Sequence, residues 1–142
     1  MATHETYSSG IVYTPILHNA IGVSTTPLTS TSITQLTAGA KAVSFQLTGA
    51  TITTRSAVFT VTVSMDGGTT FQAYNMLLSN TADTNEQSLT RVASITRAAT
   101  GTDICWMSPE TLGSITHIKT VLVITDTGIP VGTFTLKASI AY

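Results

Sequence analysis

The chain is predicted to be all-β: a single antiparallel β-sandwich or jelly-roll-like domain with an extended N-terminal arm. Three observations point there. Thirty of the 142 residues are threonine, a β-branched residue that suits a pleated strand and keeps a solvent face wet without charge. Apolar and polar residues alternate with a period of two from about residue 30 onward, as half-buried strands require. Glycine-, asparagine- and aspartate-containing turns recur every ~8–12 residues, the spacing of sandwiches and barrels.

Residues 1–30 read as the arm and 31–142 as the sandwich domain. Pro15 and Pro27 interrupt any long element in the arm, since each lacks a backbone donor. Ile11, Val12, Tyr13, Ile16, Leu17, Ile21 and Val23 are nevertheless too apolar for a disordered tail. They mark a candidate intersubunit arm, buried against its own domain or a neighbouring copy. Ser32 to Thr37 is then a short strand closed by Ala38-Gly39.

Val43, Phe45 and Leu47 share one face of the next strand, and Gly49 is expected to end it. Ala57, Phe59, Val61 and Val63 line one side of the following strand, with Thr60 and Thr62 opposite. Asp66, Gly67 and Gly68 form a hairpin turn between β runs, because Asp-Gly allows positive φ at both central positions. Residues 80–87 read as a polar loop. Leu89, Val92 and Ile95 alternate less cleanly, and Gly101-Thr102 precedes a strand through Cys105 and Trp106. Ser108-Pro109 has the pattern of a helix N-cap followed by proline, and Gly113 limits that helix to about one turn. Ile118 to Thr125 is apolar on both faces and reads as a central strand. Phe134, Leu136, Ala138, Ile140 and Tyr142 tie the C-terminus into a sheet.

Charge is scarce: 9% of residues against about 25% in an ordinary soluble domain. Surfaces facing only water carry many charges of both signs, so this composition predicts a chain that lies against another surface. The six basic residues are scattered singly, which predicts no nucleic-acid partner. No apolar run is long enough to span a bilayer, and the N-terminus lacks a signal-peptide pattern. The expectation is synthesis in a cytoplasm and no membrane partner.

The residues that carry chemistry do not form a catalytic set, and no enzyme, cofactor or metal is expected. His4, His18 and His117 lack metal-ligand spacing. Cys105 lies in an apolar strand beside Trp106, a setting for a structural thiol rather than a nucleophile. The acids include no close pair of the glycosidase type. Ser64-Met65-Asp66-Gly67-Gly68-Thr69-Thr70-Phe71 fits the Asp-box pattern of sialidases and other β-propellers, S-x-D-x-G-x-[ST]-[WF]. Its content is local: the carboxylate accepts from turn amides, the glycines allow the bend and the aromatic packs below. One copy without a blade-length repeat does not make a propeller.

The threonine-rich strands Ala42–Thr48 and Ala57–Ser64, the single hairpin at Ser64–Phe71, the apolar arm and the final strand Gly132–Tyr142 resemble the capsid decoration (cement) proteins of tailed bacteriophages. That resemblance implies a structural virion protein on the capsid surface: a homotrimer binding the major capsid protein and stabilising contacts between its copies. A head-fibre base or tail protein belongs to the same class. The alternative from another class is a carbohydrate- or host-surface-binding β-sandwich module, for which Tyr74 is the best-placed aromatic.

Overall fold

The computed structural model describes residues 38–79 and 89–142, with residues 79, 89 and 127–130 as backbone, and the backbone of four short strands before them. The expected 80–87 loop, Ile11 and Val23 lie outside the described residues.

The fold is all-β and antiparallel, and its eleven described strands are hydrogen-bonded into one open sheet. Four strands come from the N-terminal segment: β1 (Val12–Tyr13), β2 (Ile16–Ile21), β3 (Leu28–Thr29) and β4 (Ile33–Leu36). Two very long strands form the spine, β5 (Ala42–Ser64) and β11 (His117–Ala141). Between them in sequence lie β6 (Gln72–Tyr74), β7 (Met76–Ser79), β8 (Leu89–Val92), β9 (Ile95–Arg97), β10 (Gly101–Trp106) and the one-turn helix α1 (Pro109–Leu112).

Gly49 does not end a strand. β5 continues through it, and β11 likewise joins the two C-terminal strands read separately from sequence. The pair stays in register from His117↔Ser64 to Ala141↔Ala42, with irregularities between Asp126 and Thr133. What happens near Gly49 is a bend. Residues 45 and 59 would stand ~46 Å apart on a straight strand, yet the Phe45 and Phe59 rings meet edge to face with centroids 5.2 Å apart. The ribbon doubles back so that the two halves of one face enclose a common core.

The backbone of the bend explains its residues. Thr51 and Thr54 take φ of 57° and 55°, and Gly132 opposite takes 103°. Positive φ in a β-branched residue is strained, and bulges are how strands turn such corners. Gly49 is small because of close approach: a Cβ there would lie 2.9 Å from Ile52 Cγ1 and 3.2 Å from Phe134.

Alternation does the rest. Val43, Phe45, Leu47, Ala57, Phe59 and Val61 of β5 are buried, as are Ile118, Leu122, Ile124, Phe134, Leu136 and Ile140 of β11. At ~1.5–3 kcal/mol for each fully buried large apolar side chain, this face dominates the folding energy. Ile118–Thr125 is central, with β5 on one side and β3 and β4 on the other. Its second face is only half covered, since Val121 and Val123 are intermediate in exposure.

The N-terminal strands run antiparallel along β11 of their own chain. Val12 and Tyr13 pair with Ala141 and Ile140, Ile16 pairs with Lys137, and Ile21 with Phe134. Leu17 lies within β2.

Candidate functional site

Beyond the bend, the sheet turns a flat outward face to solvent. Its three strands are β10, β5 and β11, and their registers align the outward side chains in rows: Thr102–Thr48–Thr135, Ile104–Gln46–Lys137 and Trp106–Ser44–Ser139. The inward neighbours Phe45, Leu47, Cys105, Leu136 and Ala138 are buried, so the pleat forces these nine outward. Five of the nine carry hydroxyls, one is an amide, and Lys137 is the single charge. The Thr48 and Thr102 hydroxyls bond each other at 3.2 Å. Ile104 keeps 48% of its surface exposed in the middle of β10. A shallow depression of about 220 Å³ lies over Ser44, Gln46, Ile104, Lys137 and Ser139. Such a face offers shape and neutral hydrogen-bonding groups.

The bend carries the opposite chemistry. Arg55 Nε meets Asp126 Oδ1 at 2.7 Å, with the two side chains 0% and 2% exposed. Arg55 Nη1 also donates to the Gly132 carbonyl at 2.8 Å. Arg55 Nη2 and Asp126 Oδ2 are buried with no partner among the described residues. Beside this pair, Arg97 grips Asp103 across the β9–β10 corner, Nη2 to Oδ1 at 2.9 Å and Nε to Oδ2. Ile52 N–H donates to Thr100 Oγ1 at 2.9 Å, joining the two corners.

The Asp-box segment has the geometry its sequence implies, with one correction. Asp66 Oδ1 accepts from the Ser64 hydroxyl at 2.7 Å and from the Thr69 and Thr70 amides at 3.1 and 2.9 Å. Those donors hold the carboxyl far below the usual carboxylate range, the Thr70 amide contributing most. The positive φ values fall on Gly67 (77°) and Gly68 (90°), not on Asp66. The turn is therefore not a two-residue hairpin: Val63↔Gln72 is the last pair, and residues 64–71 form a longer, internally bonded loop. The shift follows from Asp66 turning its carboxylate inward to the Thr69 and Thr70 amides. Phe71 is half-buried, with Lys119 Nζ 4.0 Å from its ring centroid.

The remaining reactive groups make local contacts within the fold. Cys105 is buried, its Sγ 3.5 Å from Met76 Sδ. Burial, with Asp103 nearby, pushes its thiol up to about 12, so no thiolate forms near neutrality. His117 opens β11 half-buried, with Nδ1 3.2 Å from Thr116 Oγ1. Tyr74, the aromatic singled out for glycan contact, uses its hydroxyl internally. It accepts from the Ser108 amide at 2.7 Å and bonds Thr111 Oγ1 at 2.9 Å, which fixes α1 where Ser108 makes no side-chain cap. Among the described residues no cluster of three or more His, Cys, Asp or Glu side chains has metal-binding geometry. Within the same residues no helix is long and apolar enough to cross a membrane.

Sequence reasoning missed both the aligned face as a unit and the bend. No family model, curated protein or solved structure is significantly similar to this chain.

Proposed function

We infer that the chain is a structural coat component that lies flat on a larger protein shell, in the manner of a phage capsid decoration protein. The observation that carries this reading is the outward face of β10, β5 and β11, nine register-aligned side chains with one charge among them. Water-facing surfaces are rich in mixed charge. A flat, neutral, hydroxyl-bearing sheet face suits contact with another protein, where each polar group finds a partner and no charge is stranded. The two-layered sandwich belongs to the same proposal, supported by the Phe45–Phe59 contact across the fold.

Size decides how such a face works. Nine outward residues at ~4.8 Å between strands and ~3.3 Å per residue along them cover roughly 300 Å². A stable interface takes about 800 Å² per partner. One copy of this face therefore binds weakly, and firm attachment requires several copies engaging a repeating surface at once. A homotrimer on an array of major capsid proteins meets that condition. In this reading the N-terminal strands, with Ile16 and Ile21 in register along β11 of their own chain, offer their outer edge for strand pairing with a neighbouring copy.

The test is sedimentation of particles from the native source through a density gradient. Native chain is expected to migrate with megadalton shells, and an Ile104→Glu/Gln46→Glu variant expressed in its place to stay at the top. Native chain that never migrates with particles overturns the proposal.

A further inference from the structure

We propose that the Asp66–Gly67 linkage is a latent self-modification site, a spontaneous isomerisation point that the surrounding loop holds shut in the folded protein. Aspartyl-glycyl bonds are the most reactive of their kind, because glycine has no Cβ to shield its nitrogen. Gly67 has that openness, since nothing lies within 4 Å of the place its Cβ would occupy. Asp66 is exposed, so water is at hand.

The chemistry needs no external reagent. The Gly67 nitrogen attacks Asp66 Cγ of the protonated acid. The N–H proton and the carboxyl hydroxyl leave as one water, and a five-membered succinimide joins the two residues. Water then adds back at either ring carbonyl. Opening at the side-chain carbonyl restores aspartate. Opening at the main-chain carbonyl leaves an isoaspartyl link, with the chain now running through the former side chain. The net change is an isomerisation with no gain or loss of atoms.

Three features of the loop oppose each stage. The attack needs a neutral carboxyl, and donation from Ser64 Oγ, Thr69 N–H and Thr70 N–H to Oδ1 keeps it ionised. Swinging Cγ toward the Gly67 nitrogen would break the same three bonds. The nitrogen itself is engaged, its N–H donating at 3.1 Å to Thr116 Oγ1. That hydroxyl is in turn anchored on the Ser64 carbonyl at 3.1 Å. Ser64 Oγ also accepts from the Gly68 amide at 2.9 Å, so one serine organises both sides of the reactive bond. Ser64 itself is 1% exposed, so its hydroxyl is held in place by packing.

The experiment follows isoaspartate at this bond by enzymatic methyl transfer to isoaspartyl carboxyls, with peptide mapping to place the label and a loss of one water to mark the succinimide. Folded wild-type chain and the same chain in urea are held at neutral pH and about 37 °C for several weeks. The folded chain is expected to convert at least about tenfold more slowly than the unfolded one. Ser64→Ala, folded by circular dichroism, is expected to convert several-fold faster than folded wild type. Where Ser64→Ala does not fold, Thr116→Val reads the same guard from the nitrogen side. A folded wild-type rate within tenfold of the urea rate, or a folded variant that converts at the wild-type rate, overturns the proposal.

Discussion

Around the bend lie the ion pairs Arg55–Asp126 and Arg97–Asp103 and the positive-φ residues Thr51, Thr54 and Gly132, while the face beyond it shows nine outward side chains and one charge. Four of the thirteen charged residues in the chain thus sit in two ion pairs where strands turn. Both regions are carried by β5, β10 and β11, with β9 added at the corner, so the contrast comes from side chains rather than backbone class. Charge here tightens a strained corner, and its near absence keeps the face free of desolvation cost on contact. Buried ion pairs contribute little net stability but are costly to break singly. Neutral hydroxyls lose and regain hydrogen bonds at small net cost. The corner is therefore expected to govern whether the chain folds, and the face what it touches.

The comparison breaks most visibly at the corner. Arg55→Ala strands Asp126 in a dry site and should cost about 3–5 kcal/mol in urea unfolding, whereas the volume-matched Arg55→Met/Asp126→Leu pair should fall near neutral or above wild type. Equal losses in the two variants would mean that the guanidinium hydrogen bond to Gly132, rather than charge pairing, holds the bend. Next comes Gly132→Ala, at about 2–4 kcal/mol. It places a Cβ 2.5 Å from the carbonyl oxygens of Ala50 and Thr51 at a φ that L-residues avoid. Full stability in that variant would show that the corner relaxes without strain.

The Asp-box loop lies between the two regimes, charged yet exposed. Gly67→Val should lower stability by about 1–3 kcal/mol through positive φ alone, read as a fall in Tm. Acid titration sharpens the point. The folded carboxyl of Asp66 titrates below its unfolded value of ~3.9, so its contribution is complete above that value and fades as pH drops further. Ser64→Ala removes one donor and should lower stability above ~3.9 while leaving the acid end little changed, so that the acid limb of the stability curve flattens. An unchanged acid limb would assign the loop's rigidity to the Thr69 and Thr70 amides alone.

Much of this was legible before any coordinates. Val43, Phe45 and Leu47, and Phe134 through Tyr142, announce their buried faces by alternation. Ser108-Pro109 marked a one-turn helix, and the Ser64–Phe71 pattern its own hydrogen bonds. The continuity of β5 and β11 was hidden because Gly49 reads locally as a terminator. Its trace lies in parity: apart from Ser64 at its last position, buried positions of β5 are odd on both sides of the bend, and those of β11 are even on both sides. Arg55 and Asp126 fall in the same core-facing phase, which is the sequence signature of a buried pair. The outward face was legible only in composition. Which three strands lie side by side is set by contacts between residues far apart in the chain, and no local rule encodes that.

The smallest stability effect is expected at the face, and there the comparison is most exposed to failure. Ser44, Gln46 and Ile104 point away from the core, and among the described residues none of them takes part in an ion pair or a helix cap. Replacing Gln46 by Glu should therefore shift unfolding by no more than about 0.5 kcal/mol, the ordinary range for surface positions. Its consequence appears only on contact. A carboxylate at the centre of the grid faces Lys137 across the strand pair, so contact with a neutral surface would bury an ion pair, whose dehydration still costs several kcal/mol. Under the proposed attachment of many copies to a shell, that cost is repeated at every engaged copy and compounds across the assembly. Retention on isolated shells should then collapse far beyond what one residue implies, with Tm unchanged. A Gln46→Glu chain that loses stability instead, yet stays on the shell, would mean that this face is packed within the protomer and that attachment lies elsewhere on the fold.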